Sequence, residues 1–181
     1  MLKKSQEPIQ KLHQFIALVF MLLMLAWALN LGLVIFPAHA AGIRQLEESP
    51  GQMVYQSRQT LKDRHGNSWQ AIAFKRIRPD GTANIYLRLV SFPGIAEFDR
   101  TRSLILTNSL NKTWTATDVS QQIFTDAAHL EPNVGQYELG SILTQLEPTV
   151  PLLLKLPTLN STEIHLNVSP ALIKEWRSLL L

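Results

Sequence analysis

The chain contains no cysteine. That absence excludes disulfides, thiol nucleophiles, Cys-ligated zinc, iron–sulfur clusters and lipid attachment at a lipobox. Other signatures are missing as well. There is no G-x-S-x-G elbow, no P-loop and no dinucleotide-binding glycine pattern. No internal repeat, low-complexity tract or long linker interrupts the chain. Histidine is scarce: beyond residue 40 only His65, His129 and His165 remain, so a Ser/His/Asp set would need distant residues to meet. No cofactor is expected.

A net excess of either charge is also nearly absent once the N-terminus is set aside. The whole chain has 17 basic and 14 acidic residues, but Lys3, Lys4, Lys11 and Glu7 all lie before residue 41, leaving 14 against 13. The high overall pI therefore reflects the leader and a near-balance elsewhere, and it gives no argument for a nucleic-acid partner.

Those three lysines precede an uncharged run of 22 residues, Phe15 to Phe36, then Pro37 and the small-x-small triplet Ala38-His39-Ala40. Positive, apolar and small, in that order, is a secretory signal. The run is longer than the usual signal core of about 7–15 residues, and at ~1.5 Å per residue it is long enough to span a bilayer. Two readings follow: a signal peptide cut after Ala40, and a retained anchor formed by residues 15–36. Both send the remainder out of the cytoplasm, and the missing Arg pair favours the general secretory route. Cleavage is the expected outcome, with residues 41–181 as a single globular domain and membrane association only through the N-terminal segment if it stays.

The stretch from Gly51 to Phe92 reads as three consecutive strands joined at His65-Gly66-Asn67-Ser68 and Pro79-Asp80-Gly81-Thr82. With Asp80-Gly81 and Gly66-Asn67 as the central pairs, Met53, Tyr55, Leu61, Ile72, Phe74, Ile85, Leu87 and Leu89 share an apolar face. Lys75, Tyr86 and Arg88 share the opposite one. Short strands follow at Leu104–Thr107 and Thr113–Thr117. Asp118 is placed to cap a helix carrying Ile123, Phe124, Ala127 and Ala128, and a second short helix is expected over Tyr137–Leu146. The run Leu152, Leu153, Leu154 and Leu156 has no alternation, as in a strand buried on both sides, whereas Ile164, Leu166 and Val168 alternate. Ser169 as N-cap and Pro170 at the first position open a terminal helix with Leu172, Ile173, Trp176, Leu179 and Leu180 on one stripe. The class expected is α+β: a mainly antiparallel sheet, strongly curved or barrel-like, under a C-terminal helix. Trp69, Trp114 and Trp176 are expected in its core.

Candidate chemistry is sparse. Asp126/His129, Asp63/His65 and Glu163/His165 have spacings that turn two metal ligands to one side of a helix or strand, and a metal-dependent hydrolase around His129 or His165 is a minor reading. Such spacings are common by chance, so no metal site is assigned. Lys75, Arg76, Arg78, Arg88, Arg100 and Arg102 form a basic set with Glu97 and Asp99 beside it, read either as a solvated sheet face or as a surface for anionic headgroups, an acidic partner or a carboxylate. Lys75, Tyr86 and Arg88 are the candidate contact patch. If the sheet closes around a cavity, Phe74, Ile85, Leu87 and Leu89 would line it for an apolar ligand, which makes a small-molecule carrier the alternative function.

The signal ending "PAHA", the early "RQLEESPGQMVYQSRQTLKDRHGNSWQ" and the closing "LPTLNSTEIHLNVSPALIKEWRSL" resemble a cyanobacterial family of small exported proteins of unknown function. The similarity spans nearly all of residues 41–181. It implies an address, the periplasm or the thylakoid lumen, and carries no catalytic motif. By analogy with other small lumenal proteins, a membrane protein complex of the photosynthetic membrane is the implied partner. The function expected is that of an exported, non-enzymatic accessory or binding protein.

The boundary is testable directly. Pro37 ends the apolar run, so Ala38 and Ala40 reach the peptidase in extended backbone, and the mature chain begins at Ala41. Intact-mass measurement of the exported protein should show residues 1–40 missing, and Ala40→Arg should retain them. A wild-type mass that still includes them means an anchor.

Overall fold

The computed structural model of the chain describes His13 and residues 16–21, 42–123, 131–159 and 163–181. Residues 1–40 and 41–181 are separate compact units. In the first, residues 16–21 are helical, and most of the 22-residue run lies outside the described residues. No helix among the described residues is long and apolar enough to cross a membrane.

The second unit is built on antiparallel sheets. The larger holds β1 (Arg44–Ser49), β2 (Gln52–Lys62), β3 (Ser68–Ile77), β4 (Ala83–Ser91) and β7 (Val134–Glu138), in the order β1-β2-β3-β4-β7. The smaller holds β5 (Leu104–Asn108), β6 (Thr113–Ala116), β8 (Leu152–Leu156) and β9 (Ile164–Val168), in the order β6-β5-β8-β9. Neither closes into a barrel. Helix α1 (Gly140–Leu143) follows β7, and α2 (Pro170–Arg177) follows β9. The α+β class with a mainly antiparallel framework and a C-terminal helix is therefore what the chain adopts.

Three hairpins close with one device. Asp63 N–H donates to Asn67 O and Gly66 N–H to Asp63 O, both at 3.1 Å. The same pair of bonds recurs between Arg78, Gly81 and Thr82 and between Asn108, Asn111 and Lys112. The fourth residue of each set is left-handed: Gly66 (φ +85°), Gly81 (φ +83°) and Asn111 (φ +62°). Glycine and asparagine reach that conformation at least cost, and each loop is a three-residue turn ending in a bulge rather than a two-residue turn.

The extra residue settles the register. Phe74 pairs with Tyr86 and Ile72 with Arg88, one residue away from the expected alignment. In the first hairpin Leu61 pairs with Trp69, not with Ile72. Since a one-residue slip exchanges faces, β3 is turned over relative to expectation. Ile72 and Phe74 leave the core face, Lys75 joins it, and Trp69, Ala71 and Ala73 fill the interior. The expected placements of Met53, Tyr55, Leu61, Ile85, Leu87 and Leu89 are unaffected.

The core lies between the sheets. Odd-numbered residues of the larger sheet (Ala71, Ala73, Leu87, Leu89) meet even-numbered ones of the smaller (Leu106, Leu154, Leu166) in one continuous cluster. Trp69, Trp114 and Trp176 are all buried in it, as expected. The leucine run is buried on one side only: Leu152, Leu154 and Leu156 point in, while Leu153 is half-buried on the outer face. Ser169 Oγ accepts from Leu172 N–H at 3.3 Å with Pro170 at the first turn, so the terminal helix begins as its residues dictate. Arg177 Nη1 donates to the carbonyls of Leu143 and Leu146 and ties α2 to α1.

One helical expectation is corrected, and another falls mostly outside the described residues. Tyr137 lies in a strand, because Val134–Glu138 completes the larger sheet against β4, and only Gly140–Leu143 beyond it is helical. Pairing to a sheet edge overrides local propensity there. The helix expected beyond Asp118 falls largely on residues outside the described ones; before them, Ser120–Gln122 form a 3-10 turn whose N-cap is Val119, and Asp118 Oδ1 accepts from Ser120 N–H at 2.9 Å. Phe124, Ala127 and Ala128 lie outside the described residues.

Gly135 of β7 sits where Trp69, Phe98 and Tyr137 meet edge to face, with centroids 6.0 and 6.2 Å apart. A methyl group there would come within 2.9 Å of Tyr137 Oη and 3.0 Å of the Phe98 ring, both buried. Gly135→Ala should cost about 1–3 kcal/mol by overpacking, seen as a lower urea midpoint. Gly140→Ala, whose nearest neighbour is 3.9 Å away, should not lower it. Equal midpoints for the two variants would contradict the packing described.

Candidate functional site

The register places the even-numbered side chains of all five strands on the outer face of the larger sheet. They form rows across it: Arg44–Gln56–Phe74–Tyr86–Glu138, then Arg58–Ile72–Arg88–Gln136. This face carries a second apolar cluster. Val54, Ile72, Phe74 and Tyr86 are buried there, with Val119 packed against them. Much of that cover is guanidinium. Arg76 and Arg88 lie over the Phe74 ring at 5.5 and 5.2 Å, an arrangement in which the ring quadrupole attracts each cation and the long stems shield apolar surface.

Each polar group on the face is positioned by another. Arg76 holds Glu48 with two bonds, Nε–Oε2 at 2.8 Å and Nη2–Oε1 at 2.9 Å. Arg88 donates from Nε (3.1 Å) and Nη2 (2.8 Å) to a single acceptor, the amide oxygen of Gln136. Tyr86 Oη donates to Gln122 Oε1 at 3.2 Å, and Arg78 Nη1 to Asn84 Oδ1 at 2.7 Å. Arg76, Arg78, Asn84, Tyr86, Gln122 and Glu138 line an open groove of about 460 Å³. Burial lowers the pKa of the Arg88 guanidinium, Arg76 and Arg58 lower it further, and Glu48 alone opposes them. At Glu48 burial raises the carboxyl pKa, but the bonds and charge of Arg76, with help from Gln52 and Arg88, outweigh it and hold the carboxyl low.

Of the expected contact patch, Tyr86 and Arg88 share this face and Lys75 does not. Lys75 sits on the core side, beside Tyr55, Ile77 and Leu179 at a cavity of about 210 Å³. The three-residue turn at Gly81 is the reason. The broader basic set separates too: Arg100 Nη2 donates to the carbonyls of Glu131 and Val134, away from Arg76 and Arg88. Of the residues expected to line a carrier cavity, Ile85, Leu87 and Leu89 pack in the core, and Phe74 faces the other way. They do not converge on one space.

The metal-ligand pairs fare differently from one another. Asp126 and His129 lie outside the described residues. Asp63 has both oxygens engaged: Oδ1 accepts from His65 N–H and Asn67 N–H, and Oδ2 from Asn67 Nδ2 and Trp69 Nε1. Glu163 pairs with Lys155 and approaches His165 Nε2 at 3.5 Å. Among the described residues no group of three or more His, Asp or Glu gathers to hold a metal. Motif reading missed the Ser109–Lys112 spacing, S-x-x-K, which falls on the β5–β6 turn with Lys112 over the Trp114 ring at 5.2 Å. It also missed Glu48, Arg58 and Gln136, whose grouping depends on strand pairing. The signal available was Gly66 and Gly81 as left-handed turn residues, which places Arg58, Ile72, Arg88 and Phe74 on one face.

The family described as "Protein of unknown function (DUF3122)" matches residues 41–179. The chain belongs to that family. No curated protein and no solved structure matches it.

The Asp63 network gives a pH prediction. Burial alone would raise the carboxyl, but hydrogen bonds from Asn67, Trp69 and His65 outweigh it and hold its pKa below the usual range. A folded-state pKa below the unfolded one means that the contribution is complete above the unfolded value, about 3.9. It is lost as pH falls through the folded value. Asp63→Ala should therefore cost about 2–3 kcal/mol at neutral pH by stranding the Trp69 N–H, and the gap from wild type should narrow below about pH 4. Urea melts across that range check it, and a constant gap down to pH 2 would refute the assignment.

Proposed function

We propose that this protein is exported and that its domain from residue 41 is a non-enzymatic accessory protein of the periplasm or thylakoid lumen. The domain binds a membrane protein complex, by analogy a photosynthetic one, through the outer face of its larger sheet. One observation carries the reading: a sheet face opposite the main core buries Val54, Ile72, Phe74 and Tyr86 beneath arginines fixed by their neighbours. Arginine, tyrosine and phenylalanine are the residues enriched where proteins meet. Groups already held in place lose little freedom on docking. The family match beginning at residue 41 supports the same division between leader and working domain.

The test is recovery from cells making a tagged copy, after mild cross-linking and membrane solubilisation. Wild type should bring down a membrane complex. Arg88→Glu should reduce the yield at least about fivefold, because reversing a half-buried interface charge typically costs this much or more. Lys75→Glu, on the other side of the sheet, should leave it intact. Failure to recover any membrane protein, or equal yields from the two variants, would overturn the proposal.

A further inference from the structure

We infer that the outer face recognises side-chain carboxylates of an acidic segment in its partner, with Arg88 and Arg58 as the receiving cations. The inference rests on the docking face proposed above and names what that face reads. Two guanidiniums lie over one ring, Phe74. At Arg76 the charge is already met by an in-chain carboxylate, Glu48, in the two-bond geometry that carboxylates favour with arginine. At Arg88 the only acceptor is a neutral amide oxygen, which takes Nε and Nη2 and leaves Nη1 without a bond among the described residues. The Gln136 amide Nε2 is buried and has no acceptor among the described residues either. Arg58 stands in the same cross-strand row, and no carboxylate among the described residues bonds to it.

The Arg76–Glu48 pair thus shows, on this surface, what Arg88 and Arg58 lack. Glu48 itself comes from β1, an edge strand exposed along its whole length, at the point where the pairing register shifts. Its side chain is 45% exposed. An arriving carboxylate therefore has Arg88 and Arg58 open to it and Arg76 in competition with a weakly held internal group. Discrete acids are favoured over an anionic lipid surface, because Glu48 and Glu138 on the same face would repel a continuous sheet of phosphates.

The experiment measures fluorescence anisotropy of a fluorescein-labelled hexaglutamate peptide with purified protein at low salt. Inorganic phosphate and phosphatidylglycerol vesicles serve as comparison ligands, and urea midpoints confirm that each variant folds. Wild type should bind hexaglutamate, and Arg88→Gln should weaken binding about tenfold. Arg58→Gln should weaken it about threefold, and Lys75→Gln should leave it unchanged. Glu48→Gln should tighten it about threefold, since it frees Arg76 and removes a repelling charge; a purely structural Arg76–Glu48 pair predicts no gain. No hexaglutamate binding, or binding indifferent to both Arg88→Gln and Glu48→Gln, would overturn the inference. Equal binding of phosphate or of vesicles with the same Arg88 dependence would do so as well, pointing to a small anion or a lipid. If the peptide fails while cross-linked recovery still depends on Arg88, the docking face stands and only its acid recognition falls.

Discussion

Strand β3 is hydrogen-bonded along both edges, buried on both faces and closed at each end by a turn that needs a left-handed residue. Most of what distinguishes this domain follows from the register those turns impose. A strand side chain has only two directions available, so the turn length decides whether Trp69, Ala71 and Ala73 or Ile72 and Phe74 meet the second sheet. Choosing the first set fits the small alanines opposite the leucines of β4, while Trp69 supplies bulk at one end and finds Asp63 for its N–H. The turn and the core therefore reinforce each other. Asp63 closes the loop with one oxygen and satisfies the buried indole with the other.

The consequence on the opposite side is an apolar surplus. Ile72 and Phe74 carry too much hydrocarbon for a bare sheet face, and no third layer of strands lies over them among the described residues. Arg76 and Arg88 answer this need with their stems and with cation–π contact, so basic residues here act partly as packing material. The ion pair with Glu48 adds little stability, because Glu48 is too exposed for its attraction to exceed about 1 kcal/mol after screening. Its contribution is orientation. A bidentate pair fixes the Arg76 plane over the ring, and Gln136 does the same for Arg88.

Legibility in the sequence followed the range of the interaction. The β9 alternation and the Ser169-Pro170 opening of α2 depend on neighbours within a few residues, and both can be read directly. So could the inward faces of β2 and β4, since hydrophobic alternation marks them whatever the turn. Strand β3 was misread because it is apolar on both faces: Ile72 and Phe74 are as hydrophobic as any core residue, so alternation cannot choose between registers. The choice rests on where glycine stands in the turn: second for Gly66 and third for Gly81 if the loops had two residues, fourth in the three-residue loops that form. Strand β7 failed for another reason. Val134–Glu138 is defined by the β4 edge it completes, 46 or more positions away in several of its pairs, for example Arg88 with Gln136. The candidate face inherits both difficulties, because Arg58, Phe74, Arg88 and Gln136 come together only when β3 and β7 are placed correctly.

The same dependence bears on the docking role proposed for this face. Its central residues stand on interior strands rather than on loops, and their backbone is fixed by pairing on both edges, so their relative positions are as rigid as the core itself. Loops around a rigid sheet adjust to a partner by moving; a sheet face cannot, and must select a partner whose groups already match. Arginines held at strand spacing match acids spaced along an extended chain or an exposed helix face. The cost of such rigidity is small here, since the order was already established by the core on the other side of β3. At the margin of this face stands β1, exposed along its length and joined to the sheet on one edge only, and its Glu48 is the carboxylate that already occupies Arg76.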